Sequence, residues 1–179
     1  PGDQINNNDT LSFTAENILY LPGETCEIPY ILNLPVINFQ GTTENYGDDF
    51  ENLDCGGTWL NGDDIVYEFV VSDSGALSGS VVGDWAGMVI LDDCPENYYN
   101  CISSAYGYNG GSFENIAVFP GTYYAIVSSY PAPQSTDFIL NLTLDTDSII
   151  FGCTNPIAFN YNPNANVDDG NCWITEAGE

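Results

Sequence analysis

Between residues 11 and 144 the apolar positions fall in short runs rich in Val, Ile, Tyr and Phe, each closed by Gly, Asn, Asp or Pro. The run DDIVYEFVV is the clearest: from Ile65 onward, Val66, Glu68 and Val70 alternate with Tyr67 and Phe69, the period of a strand with two different faces. NLTL, near the end of the last run, alternates in the same way. The pattern predicts strands at 28–32, 65–71, 76–82, 87–91, 112–119, 122–128 and 136–144. Gly62-Asp63-Asp64, Asp73-Ser74-Gly75, Asn109-Gly110-Gly111 and Pro120-Gly121 separate them with the residues that turns require. No stretch holds a 3.6-residue period. Roughly seven to nine antiparallel strands over residues 11–147 predict an all-β sandwich of two sheets.

After Asp147 the pattern breaks. SIIFGCTNPIAFNYNPNANVDDGNCW places Asn, Asp, Pro or Gly at every second or third position and leaves little room for strands. Residues 148–174 are therefore expected to form a small, loop-rich module, with a polar linker at 1–10 before the sandwich and a tail at 175–179. A piece of about 25 residues buries too little surface to fold by packing alone, so it needs a cross-link, an ion or both.

Composition sharpens the picture. The 179 residues include 26 Asp or Glu and no Lys, Arg or His, for a formal charge of -26. An average chain of this length would carry roughly 20 basic side chains. Their absence removes the means to bind nucleic acid or an anionic membrane directly, since both need cations to displace counterions. It also removes phosphate sites built on Lys or Arg, and triads or metal sites built on His. Yet 44% of residues are hydrophobic and 13% aromatic, far from the make-up of a disordered acidic tail. No apolar run approaches the roughly 20 residues that span a bilayer. With no basic n-region either, any signal peptide is expected to have been removed or to lie outside this segment.

Six cysteines stand at 26, 55, 94, 101, 153 and 172, without a CxxC pair. They are expected to form three disulfides, which points to an oxidising, extracytoplasmic setting. Locality and the module boundary suggest Cys94 with Cys101 and Cys153 with Cys172, leaving Cys26 with Cys55; six cysteines allow 15 connectivities.

Three groups of residues are candidates for chemistry. Asn160, Asn162, Asn164, Asn166, Asp168 and Asp169, ending in Gly170, place side-chain oxygens at every second position, an arrangement that suits Ca²⁺ with its six to eight oxygen ligands. It is no EF-hand, lacking the bidentate Glu, and the same residues suit a set of Asx turns with no ion at all. Carboxylates cluster at Asp48-Asp49, Glu51 and Asp54, at Asp63-Asp64 and at Asp92-Asp93. Asp48 and Asp49 are the best second candidates for a divalent ion, against a solvated acidic surface as the alternative. Exposed aromatics form the third group: Trp59, Trp85, and Tyr98, Tyr99, Tyr106 and Tyr108 of YYNCISSAYGY, read as a loop dense in Tyr. Core and turn packing is the alternative for each. Asn141-Leu142-Thr143 matches the N-glycan acceptor pattern, as does Asn8-Asp9-Thr10. Asp9-Thr10-Leu11 and Asp147-Ser148-Ile149 look like the Asp-Ser/Thr-aliphatic O-glycan acceptor of Bacteroidetes, with Thr10 and Ser148 as the acceptors. Only carboxylates are available as side-chain bases, and no pair of them is singled out, so no catalytic residue is expected.

Two resemblances extend this reading. GCTNPIAFNYNPNANVDDGNC, from Gly152 to Cys172, resembles the short Gly-Cys-Thr-Asp-Pro…Asn-Tyr-Asn-Pro…Asp-Asp-Gly-Ser-Cys modules of very large secreted proteins of Bacteroidetes, including repetitive surface adhesins and gliding-motility adhesins exported by the type 9 system. Asn155 stands where that pattern has Asp, and Asn171 where it has Ser. The pieces GDDIVYEFVV, GALSGSVVGDWAGMVILDDCP, Cys101, FPGTYYAIVSSY and TDFILNLTL resemble bacterial pre-peptidase C-terminal domains. That resemblance covers roughly residues 24–144 and implies a jelly-roll-like sandwich that serves secreted proteases and adhesins without catalysis. Some such domains bind calcium, collagen or polysaccharide. No protease motif is present here, and the lack of basic residues departs from both families.

The expected function is a non-catalytic structural and adhesive module of a large extracellular bacterial surface protein or filament, stabilised by disulfides and calcium, with neighbouring modules of the same or identical chains as partners. The alternative is a glycan- or protein-binding accessory domain of a secreted hydrolase, with surface polysaccharide as one partner.

Overall fold

The alternation at residues 65–71 becomes a strand whose Ile65, Tyr67, Phe69 and Val71 all lie in the interior. The computed structural model describes residues 21–50, 53, 55–130 and 134–174. The proposed linker with Thr10, the first part of the sandwich segment, Glu51, Asp54 and the tail lie outside them. Among the described residues eleven strands run in chain order: β1 (Tyr30–Leu32), β2 (Val36–Thr42), β3 (Ile65–Val71), β4 (Gly75–Val82), β5 (Ala86–Leu91), β6 (Cys101–Tyr106), β7 (Gly111–Val118), β8 (Gly121–Ser129), β9 (Asp137–Asp145), β10 (Phe151–Gly152) and β11 (Val167–Asp168). A 3-10 turn, Gly57–Leu60, precedes β3.

Two sheets face each other. One has the order β1-β3-β8-β5-β6, the other β2-β9-β4-β7. Neighbours within them are antiparallel except β1 and β3, which pair in parallel. Phe69, Met88, Ile90 and Val127 of the first sheet meet Leu77, Val81, Phe113, Leu140 and Leu142 of the second in one core. The molecule is the expected all-β sandwich.

Two strands of the sandwich, and the two-residue strands β10 and β11 after it, were not legible in the pattern. β2, VINFQGT, carries a register shift between Val36 and Phe39 and has Asn38 at φ 53°, so its outward and inward positions do not alternate cleanly. β6, CISSAY, is an edge strand of mostly small polar residues in which only Ala105 is buried. The stretch read as a Tyr-dense loop is thus half strand.

The first sheet is also covered on its outer face. Phe50, Leu53 and Leu60 from the segment between β2 and β3 pack on Val66, Val89, Leu91 and Ile126, so that every residue of β5 is buried. Two disulfides hold the outer layer down: Cys26–Cys94 and Cys55–Cys101, with Cα atoms 5.9 and 5.8 Å apart. The expected pairs Cys26–Cys55 and Cys94–Cys101 do not form. Cys94 follows β5 and Cys101 opens β6, and each reaches outward to a cysteine of the covering chain rather than across its own short connection. These bridges close loops of 68 and 46 residues, and by chain entropy each restricts the unfolded state by about 4 kcal/mol. Cys153–Cys172 pairs as locality suggested, beside the two-residue parallel ladder of β10 and β11. Three disulfides mark a protein that folds in an oxidising compartment outside the cytoplasm.

Candidate binding site

At the end of the first sheet where β5 begins and β6 and β8 finish, five aromatic rings converge. Trp59 comes from the 3-10 turn, Trp85 from the β4–β5 turn, Tyr106 from the end of β6, Tyr108 from the turn after it, and Tyr130 from just beyond β8. Trp59 stacks on Trp85 at 5.9 Å and on Tyr106 at 5.5 Å, with interplanar angles of 26° and 17°. Tyr130 stacks on the other indole, Trp85, at 5.4 Å. Tyr108 meets both indoles edge on, at 4.4 Å from Trp85 and 6.1 Å from Trp59. Offset and edge-to-face arrangements of this kind suit the ring quadrupoles.

The backbone is organised around Trp85. Its φ of 55° lies in the left-handed region, which bulky residues rarely occupy; the other non-glycine residues with positive φ among the described residues are all Asn. The conformation is held from both sides. The Trp85 N–H donates to the Tyr108 carbonyl at 2.9 Å, and the Tyr130 N–H donates to the Trp85 carbonyl at 3.0 Å. Gly87 lets the 3-10 turn approach: a Cβ there would stand 2.7 Å from the Trp59 carbonyl oxygen. Despite this packing the cluster stays open to solvent. Tyr108 is 67% exposed, Tyr106 46% and Tyr130 37%, while the two indoles are half-buried.

The sequence had singled out four of the five, Trp59, Trp85, Tyr106 and Tyr108, without a reason to group them. Tyr130 was missed, because it ends a strand with no aromatic neighbour in sequence. Tyr98 is fully exposed elsewhere, and Tyr99 packs against the outer core cluster beside Cys26 and Cys55.

The acidic groups have other roles. Asp48 and Asp49 are exposed, and the anchoring carboxylate is Asp64, which is buried. Its Oδ2 accepts from the N–H groups of Asp49 at 3.0 Å and Phe50 at 2.9 Å, its own N–H donates to the Gly47 carbonyl, and its Oδ1 is buried without a hydrogen-bond partner. Burial pushes the Asp64 carboxyl up to about 7, against the Phe50 N–H, the Ser128 hydroxyl and the Asp49 N–H, which favour its charged form; the nearby Asp48 charge adds to the rise. Asp92 and Asp93 shape the β5–β6 connection: Asp92 Oδ2 accepts from the Asn100 side chain, and Asp93 Oδ1 accepts from the Cys94 N–H.

In the segment after β9, five of the six residues proposed for calcium accept local hydrogen bonds through side-chain oxygens. Asn160 Oδ1 accepts from the Trp173 N–H, Asn162 Oδ1 from Asn164, Asn166 Oδ1 from Ile150 and Asp169 Oδ1 from Asn171. Asp168 takes the Gly170 N–H on Oδ1 and the Thr154 hydroxyl on Oδ2, and these donors hold its carboxyl below the usual range. Among the described residues no three acidic or cysteine side chains are grouped to hold a metal ion. The arrangement is a set of Asx turns beside the Cys153–Cys172 bridge. Asn141 also has its side chain engaged: it donates through Nδ2 to the Ser80 hydroxyl and accepts on Oδ1 from the Asn38 N–H, so an N-glycan on Nδ2 would crowd the bond to Ser80. Ser148 is exposed.

No protein-family model matches the chain, and no curated protein matches it. Among solved structures it is similar to the pre-peptidase C-terminal domain of a collagenase from Bacillus anthracis, with 17% identity and a TM-score of 0.45 over 64% of this chain and 94% of that one. It is also similar to PliG, a periplasmic inhibitor of g-type lysozyme from Aeromonas hydrophila, with 15% identity and a TM-score of 0.39 over 65% of this chain and 99% of that one. Neither likeness bears on ligand or activity.

Proposed function

We propose that the chain is a non-catalytic structural and adhesive module of a large extracellular bacterial surface protein or filament, and that it holds its partner through the aromatic cluster. The observation that carries the reading is the cluster's construction: rings from five separate positions meet around Trp59 and the left-handed Trp85, yet three stay more than a third exposed. Core packing would have hidden them, and strain of this kind gathers where a surface is used. Two features fit an exposed setting. The outer layer is tied down covalently, and with no Lys or Arg the chain offers trypsin-like proteases nowhere to cut.

The test is a panel of surface polysaccharides and cell-envelope proteins arrayed against the folded, fully oxidised protein. The reading predicts saturable binding to at least one of them, lost in Trp85→Ala and Tyr108→Ala. Binding that survives both substitutions would move the adhesive surface elsewhere, and no saturable binding at all would leave only the structural half of the reading.

A further inference from the structure

The charge around the cluster points to the class of its partner. We infer that the cluster takes a cationic ligand, a Lys- or Arg-bearing segment of another protein, in preference to an uncharged sugar chain. This rests on the adhesive reading above and names the chemistry of its ligand.

Three observations lead there. First, 26 carboxylates and no side-chain cation give the molecule a field that draws cations to its surface and turns anions away. Second, the cluster is built on two indoles, the side chains with the strongest attraction for a cation over the ring face, and it displays three phenol rings to solvent beside them. Asp84, exposed and directly before Trp85 in the β4–β5 turn, supplies a carboxylate that accepts from an ammonium or guanidinium. Third, the chain has no Lys, Arg or His side chain of its own to occupy the ring faces.

The last point has a corollary. A second copy of residues 1–179 has no Lys, Arg or His to offer, so the cluster does not join identical copies of this segment to one another through side-chain cations. The partner is a different surface.

The experiment uses the oxidised protein and a short peptide of alternating Arg and Gly as probe. Its controls are the same peptide with citrulline for Arg, which keeps the shape and loses the charge, and a neutral oligosaccharide. Binding is followed by calorimetry and tryptophan fluorescence at low and at physiological salt. The inference predicts saturable binding of the Arg peptide, weaker by about tenfold for the citrulline peptide and by a similar factor in Tyr108→Ala. Tyr108 is mostly exposed, so this variant keeps the fold, and it leaves the net charge untouched. Equal binding of the Arg peptide by the wild type and Tyr108→Ala would assign it to the acidic surface at large and overturn the inference. Ring-dependent binding of the oligosaccharide with none of the Arg peptide would also overturn it, while the adhesive reading stood. Binding of neither probe would overturn the cationic assignment and return the question to the wider panel.

Discussion

The Trp85 N–H donates to the Tyr108 carbonyl at 2.9 Å, and the rings of the same two residues meet edge to face at 4.4 Å. Backbone and side chains of the β4–β5 and β6–β7 turns are thereby coupled, and the left-handed Trp85 is held by the partners it stacks against. The two indoles, 5.9 Å apart with planes inclined by 26°, are close enough for their transitions to couple. Circular dichroism is expected to show a Trp–Trp couplet that vanishes in Trp59→Phe as completely as in Trp85→Phe. Gly87→Ala, whose new Cβ meets the Trp59 carbonyl, is expected to weaken the couplet and to cost about 1–3 kcal/mol in denaturant unfolding.

Asp64 gives the stability a specific dependence on pH. Its carboxyl lies near 4 in the unfolded chain and at about 7 in the fold, so between those values the native state keeps a proton that the unfolded state has lost. Stability therefore falls as pH rises from about 4 to about 7, by up to about 4 kcal/mol from this group, and the loss is complete above its folded value. The exposed carboxylates repel one another more strongly over the same range and act with the same sign. Asp48 is the nearby charge that adds to the rise, and the Phe50 N–H, the Ser128 hydroxyl and the Asp49 N–H oppose it. Asp64→Asn, neutral at every pH, isolates the contribution. The difference between wild type and variant in unfolding free energy should change across this window and be flat above it; a difference independent of pH would contradict the burial argument.

The disulfide connectivity is testable without a structure. Cleavage at Asp and Glu under non-reducing conditions, followed by mass spectrometry, should yield Cys26 joined to Cys94 and Cys55 joined to Cys101. A bridge between Cys94 and Cys101 would contradict the docking of Phe50, Leu53 and Leu60 on the sheet. Replacing Cys26 and Cys94 by Ser together should lower stability by about 4 kcal/mol.

The knot at 148–174 separates two sources of order. Amide exchange at Thr154, Gly170, Asn171 and Trp173, all donors to Asn or Asp side chains, should be unaffected by EDTA and accelerate when Cys153–Cys172 is reduced. Acceleration on chelation alone would establish an ion in the segment.

How much of this was legible in the sequence depended on the face each residue occupies. β3 alternates because its partners on the two faces differ, so its limits were read correctly as 65–71. β5 is buried throughout, yet its unbroken run AGMVIL still reads as a strand. β2 and β6 escaped because a bulge in one and a small polar edge in the other erase the period. The outer layer was invisible for a similar reason: Phe50, Leu53 and Leu60 are scattered among acidic and glycine residues, and only the fold brings them onto Val66 and Val89. The pairing of the four sandwich cysteines failed with it, since locality is the only guide when the docking of a long connection is unknown; Cys153–Cys172, inside its own short segment, was legible. At the site the residue types were readable but their meeting was not. Trp59 and Trp85 are 26 positions apart, and Tyr130 reaches them only because β5 and β8 pair with Ala86 opposite Ser129.

The chain's three tryptophans provide the most direct test of the central claim, that the cluster is the binding surface. Titration with the Arg-Gly peptide, followed through the three indole N–H resonances, compares Trp59 and Trp85 in the cluster with the exposed Trp173 far along the chain. Saturable shifts of Trp59 and Trp85 with Trp173 unmoved are the predicted result. Three resonances drifting together without saturation, or Trp173 responding alone, would contradict it.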